Sequence, residues 1–239
     1  MIEQKPPGWD KDDITSFLEQ AQKNSYATFH RLRDLFRRLI DINKIFLKAI
    51  DYMGNSKEWF AFLFFLKTHS AFLAAIRLAI ATEIPEAYMV LRGTLENSLY
   101  GWYLHKNKSL TDVWLKRHDS EASMKEVKKK FHVRAILDLL KKNHNRLGRM
   151  ANVLYERCID FGAHPNERSL SASLKITEEQ KGIKFDLTYL TDSTVAIKLC
   201  LKTCAQIGVL CLKILQSIMP ERFAITGLDS ELDKVLKGL

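Results

Sequence analysis

The stretch KEWFAFLFFLKTHSAFLAAIRLAIATE, residues 57–83, decides the fold. Apolar side chains fall on almost every side of its helical turns, so a helix here has no solvent face and belongs inside a bundle or a bilayer. Lys67, His69 and Arg77 interrupt it, and Lys202 and Lys213 interrupt a second apolar stretch, Leu199 to Met219. Ionisable groups at that density are costly in a membrane span. The stretch therefore reads as the central helix of a bundle, with no membrane as partner.

Working outward, nearly everything else is helical in pattern. Asp10 to Asp13 offers a cap and an acidic first turn. From there Leu18, Phe29, Leu32, Leu35, Phe36, Leu39, Ile40, Ile42, Phe46, Leu47 and Ile50 mark the buried side of a helix running towards Tyr52. Gly54-Asn55 ends it. Pro85 suits the first turn of a third helix that reaches about Lys106. Ser109 to Lys130, His132 to Asn143 and Arg146 to Ala163 complete the central part. The period then changes from helical to alternating: Leu170, Ala172, Leu174 and Ile176, and after Glu178 to Gly182, Ile183, Phe185, Leu187 and Tyr189. That pattern predicts a β-hairpin whose apolar face lies on the helices. Thr191-Asp192-Ser193 caps a long last helix, stopped by Pro220, and Asp229 to Lys237 is a short amphipathic piece. The expected fold class is mainly all-α, a multi-helix bundle with one β-hairpin inserted before the last long helix. One domain spans 1–239, with an N-terminal helical segment at 10–54, a core at about 56–219 and a loosely packed or partner-seeking tail at 220–239.

Composition narrows the functional classes. Met1 to Lys11 is polar and holds Pro6-Pro7-Gly8, unlike a signal peptide. Cys200, Cys204 and Cys211 share one helical face, Cys158 stands apart, and no zinc spacing occurs, so the thiols read as core side chains in a reducing cytoplasm. No cofactor or metal is expected. Glycine-rich phosphate loops, nucleophile elbows and His-Glu-x-x-His are missing from the sequence, which leaves nucleotide hydrolase, serine hydrolase and zinc protease chemistry unsupported. The net charge is +9, and it is concentrated. Lys125 to Arg149 carries nine Lys/Arg against Glu126 and Asp138, and Arg31 to Lys48 carries six against Asp34 and Asp41. Clusters of this kind suit a phosphate backbone or an anionic surface, or form a solvated helix face. Lys128, Lys129, Lys130, Arg134, Lys141 and Lys142 are the candidate nucleic-acid contacts.

Two groups of residues carry possible chemistry. Tyr88, Arg92, Glu96, Tyr100 and Tyr103 line one stripe of the third helix. Arg92 and Glu96 in so apolar a helix must pair or hydrogen-bond. They read either as an internal ion pair or as a pocket, with Arg92 taking an anion, Glu96 positioning a proton, and Tyr100 and Tyr103 beside them. Arg157 and His164, seven residues apart, fall on one side of a helix broken by Gly162 and Pro165. Arginine suits phosphate and histidine suits proton transfer, with Asn166 as a ligand-orienting residue. The alternative is a helix end where His164 bonds free carbonyls.

Arg157-x6-His164 resembles the loose Arg-x(4 to 6)-His pattern of the HEPN superfamily, all-helical and usually dimeric proteins that include metal-independent ribonucleases of toxin and antiviral systems. Residues 56–219 also resemble a group of bacterial helical proteins marked by Arg-x-x-x-Glu, here Arg92 to Glu96, and by a helix ending in His-Pro, here His164-Pro165-Asn166. That likeness brings no activity with it. Cys158 departs from the HEPN pattern, where a polar residue commonly follows the arginine. The resemblance implies a dimer, with Arg157 and His164 catalytic on RNA. Two expectations follow: a cytoplasmic helical module binding nucleic acid, a nucleotide or a protein partner, or a ribonuclease using Arg157 and His164.

Overall fold

The computed structural model of the chain describes residues 5–52, 59–165, 167, 174–179 and 182–237. The first helix, α1 (Asp13–Arg31), starts where the Asp12 carboxylate accepts the Thr15 N–H at 2.8 Å, an N-cap bond that satisfies a free donor. The single helix expected up to Tyr52 is broken at Leu32, whose φ of −121° and ψ of 38° are not helical. α2 (Arg33–Tyr52) follows, and Leu18, Phe29, Ile40 and Leu47, expected on the buried side, are exposed instead, because the break at Leu32 interrupts the single helical period that placed them there. The break lets α1 lie on α3 (Trp59–Ile80) while α2 packs against the long helix near the C-terminus. Next come α4 (Ile84–Lys106), α5 (Leu110–Leu115), a 3-10 turn (Lys116–His118), α6 (Glu121–Lys130), α7 (Val133–Asn143) and α8 (Asn145–Cys158).

α8 runs into an i→i+5 turn, Ile159–Ala163. Strands β1 (Leu174–Glu179) and β2 (Gly182–Leu187) pair antiparallel, with Leu174 opposite Leu187 and Glu179 opposite Gly182. α9 (Thr194–Ile218), α10 (Pro220–Ile225) and α11 (Leu228–Leu236) follow. Ser193 caps α9 by accepting from Ala196 N–H at 3.3 Å, as the sequence predicts.

The protein is a mainly helical bundle. α3 and α9 are both long and apolar enough to cross a membrane, yet 67% of the most apolar part of α9 is buried, against 39% for α3. The expectation of α3 as the central helix is therefore corrected: α4 and α9 hold the centre. Leu91, Leu95, Leu99 and Trp102 of α4 and Cys200, Cys204, Ile207 and Cys211 of α9 are fully enclosed. α3 leaves Leu63 and Leu73 on an outer face. Gly208 lets α9 approach α2 and α3, because a Cβ there would meet Phe72 and Ile42.

Two further expectations change. Residues 220–239 are not a loose tail over their described part, since Phe223, Leu228 and Leu232 are buried and α11 packs on α2 and α9. The apolar face of the strands does not lie sealed on the helices: Ile183 and Phe185 keep 60% and 62% of their surface exposed. α4 and α9 already cover each other, so the core is closed without that layer. Leu170 and Ala172 lie outside the described residues.

Candidate functional site

The helix expected from Ser109 to Lys130 does not run straight. α5 stops at Leu115, the 3-10 turn reverses the chain, and Ser120 restarts it as α6 by accepting the Ser123 N–H at 3.1 Å. α6 ends at Phe131, whose ring is buried and whose carbonyl, free of intrahelical partners, accepts the Tyr100 hydroxyl at 3.1 Å. This fold-back packs Trp114 edge-on to Phe131, with centroids 4.8 Å apart, and edge-on to Tyr100 at 5.4 Å. It also delivers Arg117 to the same place. A cavity of about 350 Å³ results, bounded by α4, the α5–α6 fold-back, α7 and α8. Its cationic side chains are Arg92, Arg117, Lys128 and Arg134, its rings Tyr100, Trp114, Phe131, Tyr155 and the imidazole of His132, and none of its lining residues is acidic.

Two of these cations are already neutralised. Arg92 Nε donates to Glu96 Oε1 at 2.9 Å, and its Nη1 donates to the Ala163 carbonyl at 3.2 Å, tying α4 to the turn after α8. Tyr155 donates its hydroxyl to the same Glu96 oxygen at 3.0 Å. Arg134 pairs with Glu156. Both guanidiniums approach the Tyr155 ring, at 5.3 and 5.5 Å. Arg117 and Lys128 have no carboxylate partner among the described residues. Burial, followed by the nearby Glu96 charge, pushes the Tyr155 phenol up to about 12 and raises that of Tyr100. Both therefore stay neutral at ordinary pH and offer rings and hydroxyls, not charge.

Of the residues singled out in the sequence, Arg92, Tyr100, Lys128 and Arg134 border this cavity. Glu96 stands behind it as the acceptor for Arg92 and Tyr155, so the ion-pair reading of Arg92 and Glu96 holds while Arg92 also forms part of the wall. Tyr103 packs edge-on to Phe131 at 5.5 Å and supports the wall from behind. Lys129 is exposed, and Lys130 pairs with Glu126 at 2.9 Å. Lys141 and Lys142 sit exposed near the far end of α7, about 10–12 Å along its axis from Arg134. Trp114, Arg117, Phe131, His132 and Tyr155 were missed by sequence reasoning. The signal that could have found them is Ser120, an N-cap inside a supposed continuous helix.

Arg157 and His164 are not brought together. The expectation that both lie on one side of a helix assumes 3.6 residues per turn. The i→i+5 turn at Ile159–Ala163 winds less per residue, and His164 is extended, with φ −151° and ψ 139°. Arg157 faces α9, donating to Thr203 and Gln206. His164 is exposed, with Nδ1 3.0 Å from the Pro165 carbonyl, and borders a different cavity with Pro85, Met89 and Tyr189. Asn166 lies outside the described residues. Among the described residues no group of three or more His, Cys, Asp or Glu is placed to hold a metal. All four cysteines are buried, and burial pushes Cys158 and Cys211 up to about 12, so thiolate chemistry is suppressed. No protein-family model, curated protein or solved structure matches this chain.

Proposed function

We propose that this protein binds single-stranded nucleic acid, one nucleotide of which enters the cavity between α4, α6, α7 and α8. The observation that carries the reading is the lining of that cavity: unneutralised Arg117 and Lys128 beside a cluster of rings, with no acid among the lining residues. Phosphate is drawn to the cations, and a base has the part-exposed rings of Trp114 and Tyr100 to stack on, the pairing that single-strand binders use without sequence preference. The volume, about 350 Å³, is at the small end of ligand cavities, which suits one nucleotide unit. Lys129, Lys141 and Lys142 extend the positive surface beyond it, which favours a polymer over a free mononucleotide. A nuclease step would need Arg157 and His164 to reach one phosphate, and they border separate cavities.

The test is fluorescence anisotropy with an unstructured labelled RNA oligonucleotide and its DNA counterpart at low salt. Binding is expected to weaken in Trp114→Ala and Arg117→Ala and to be unchanged in His164→Ala. Tighter competition by a mononucleotide than by the oligomer would replace the polymer with a nucleotide ligand. Equal binding by wild type and both pocket variants would sink the reading.

A further inference from the structure

A second cavity, on the far side of α8, has a different chemistry. Arg157 Nη1 donates to Thr203 Oγ1 at 3.2 Å and to Gln206 Oε1 at 2.7 Å. Both acceptors are neutral. Thr203 is fully buried and donates its own hydroxyl to the Leu199 carbonyl at 2.8 Å, so it fixes the guanidinium without neutralising it. Arg157 has no carboxylate partner among the described residues, and its Nε and Nη2 have no hydrogen-bond acceptor there. Beside it, α8, α9 and α11 enclose a cavity of about 380 Å³ whose walls are Met150, Val153, Leu154, Val209 and Leu236, with Arg149 exposed at the rim.

A half-buried cation against aliphatic walls is costly unless an anion joins it. The walls hold no ring on which a base can stack, unlike the cavity of Tyr155 and Trp114. An anion here must therefore bring its own aliphatic surface. We propose that this cavity binds an aliphatic carboxylate, a free fatty acid of moderate chain length. Its carboxylate takes the two unused donor nitrogens of Arg157. Its chain lies along Met150, Val153, Val209 and Leu236, where burial of each methylene is favourable. The site shares no lining residue with the nucleic-acid cavity, so neither proposal rests on the other.

Titration calorimetry of the full chain with decanoate below its micelle concentration, with decanol and with acetate tests this. The expected result is one decanoate per chain, bound at least tenfold more tightly than decanol or acetate. Arg157→Gln is expected to erase the preference for decanoate over decanol. Val153→Trp, at a position 57% exposed, fills the cavity from its open side without disturbing the core and is expected to abolish decanoate binding. RNA affinity is expected to stay unchanged in Val153→Trp, which separates this site from the other. Decanol binding as tightly as decanoate, several decanoates per chain, or wild-type decanoate affinity in Val153→Trp each overturns the proposal.

Discussion

The double variant Arg117→Ala/Lys128→Ala tests the proposed nucleic-acid site most sharply, because both cations line the cavity without a carboxylate partner among the described residues. Each phosphate neutralised on a single strand releases condensed counterions and contributes about 0.7 to the slope of log affinity against log salt. Two such contacts amount to a slope of about 1.4. Raising salt from about 50 to about 200 mM is a change of about 0.6 in log concentration, so wild-type binding should fall roughly sevenfold more than that of the variant. Arg92 and Arg134 are left out of this count, since Glu96 and Glu156 already neutralise them. Anisotropy titrations with the same labelled oligonucleotide at four salt concentrations give both slopes directly. Trp114→Ala should instead lower affinity by about 1–3 kcal/mol at every salt concentration and leave the slope alone, because stacking releases no counterions. Identical slopes for wild type and the double variant would refute the assignment of these two side chains to phosphate.

Three other outcomes follow from the packing. Gly148→Ala places a Cβ against the Lys141 backbone where α7 and α8 cross, and over-packing of that kind should lower stability by about 1–3 kcal/mol in urea unfolding. The same change shifts Arg134 relative to Tyr155 and should weaken RNA binding. Phe185→Ser should move stability by no more than about 0.5 kcal/mol, since the ring is 62% exposed; a loss above about 1.5 kcal/mol would mean that the strands are sealed on the bundle after all. His69, nearly buried, stacked on Phe46 and donating through Nε2 to Asn43 Oδ1 at 2.7 Å, is held below its ordinary value of 6.5 by desolvation. The unfolded chain takes up that proton first, so the stabilising term is complete above about pH 6.5 and is lost as pH falls from there towards the depressed native value. Thermal unfolding at about pH 7 and about pH 5.5 should show a larger acid loss in wild type than in His69→Leu.

The helical class was legible because periodic apolar runs and caps are local signals. Ser193 and Pro220 bound α9 where the sequence indicated. Hierarchy within the bundle was not legible. Residues 57–83 are more uniformly apolar than α4, yet α3 keeps Leu63 and Leu73 outside while α4, with Arg92 and Glu96 in its length, is central. Which helix lies inside depends on how many neighbours cover it, and composition does not carry that number. The break at Leu32 was hidden for a related reason: Leu32 is a good helix former, and only the separate packing of α1 on α3 and of α2 on α9 asks the chain to bend there.

The candidate site shows how local and tertiary information divide. Charge counting singled out Lys128 and Arg134 as candidate nucleic-acid contacts, since a basic run is a one-dimensional property, and the structure puts both on the wall of the cavity. The rings that give the site its chemistry come from α4, α5, the end of α6 and α8, and nothing local joins Tyr100 to Trp114 and Phe131. The junction is made by the short turn at Lys116–His118 and by Ser120, which fold α6 back on α5. Arg157 and His164 illustrate the converse. Their spacing is a good local signal, and it misleads because five residues of wider turn intervene and His164 itself is extended. The same wider turn carries the Ala163 carbonyl to Arg92, so the distortion that separates Arg157 from His164 also anchors the wall beside Tyr155. Gly162 makes that possible: a Cβ there would collide with the Pro85 carbonyl, so Gly162→Ala should loosen the Arg92 anchor and the cavity of Trp114 and Tyr155 together, while leaving the Arg157 cavity on the opposite side of α8 intact.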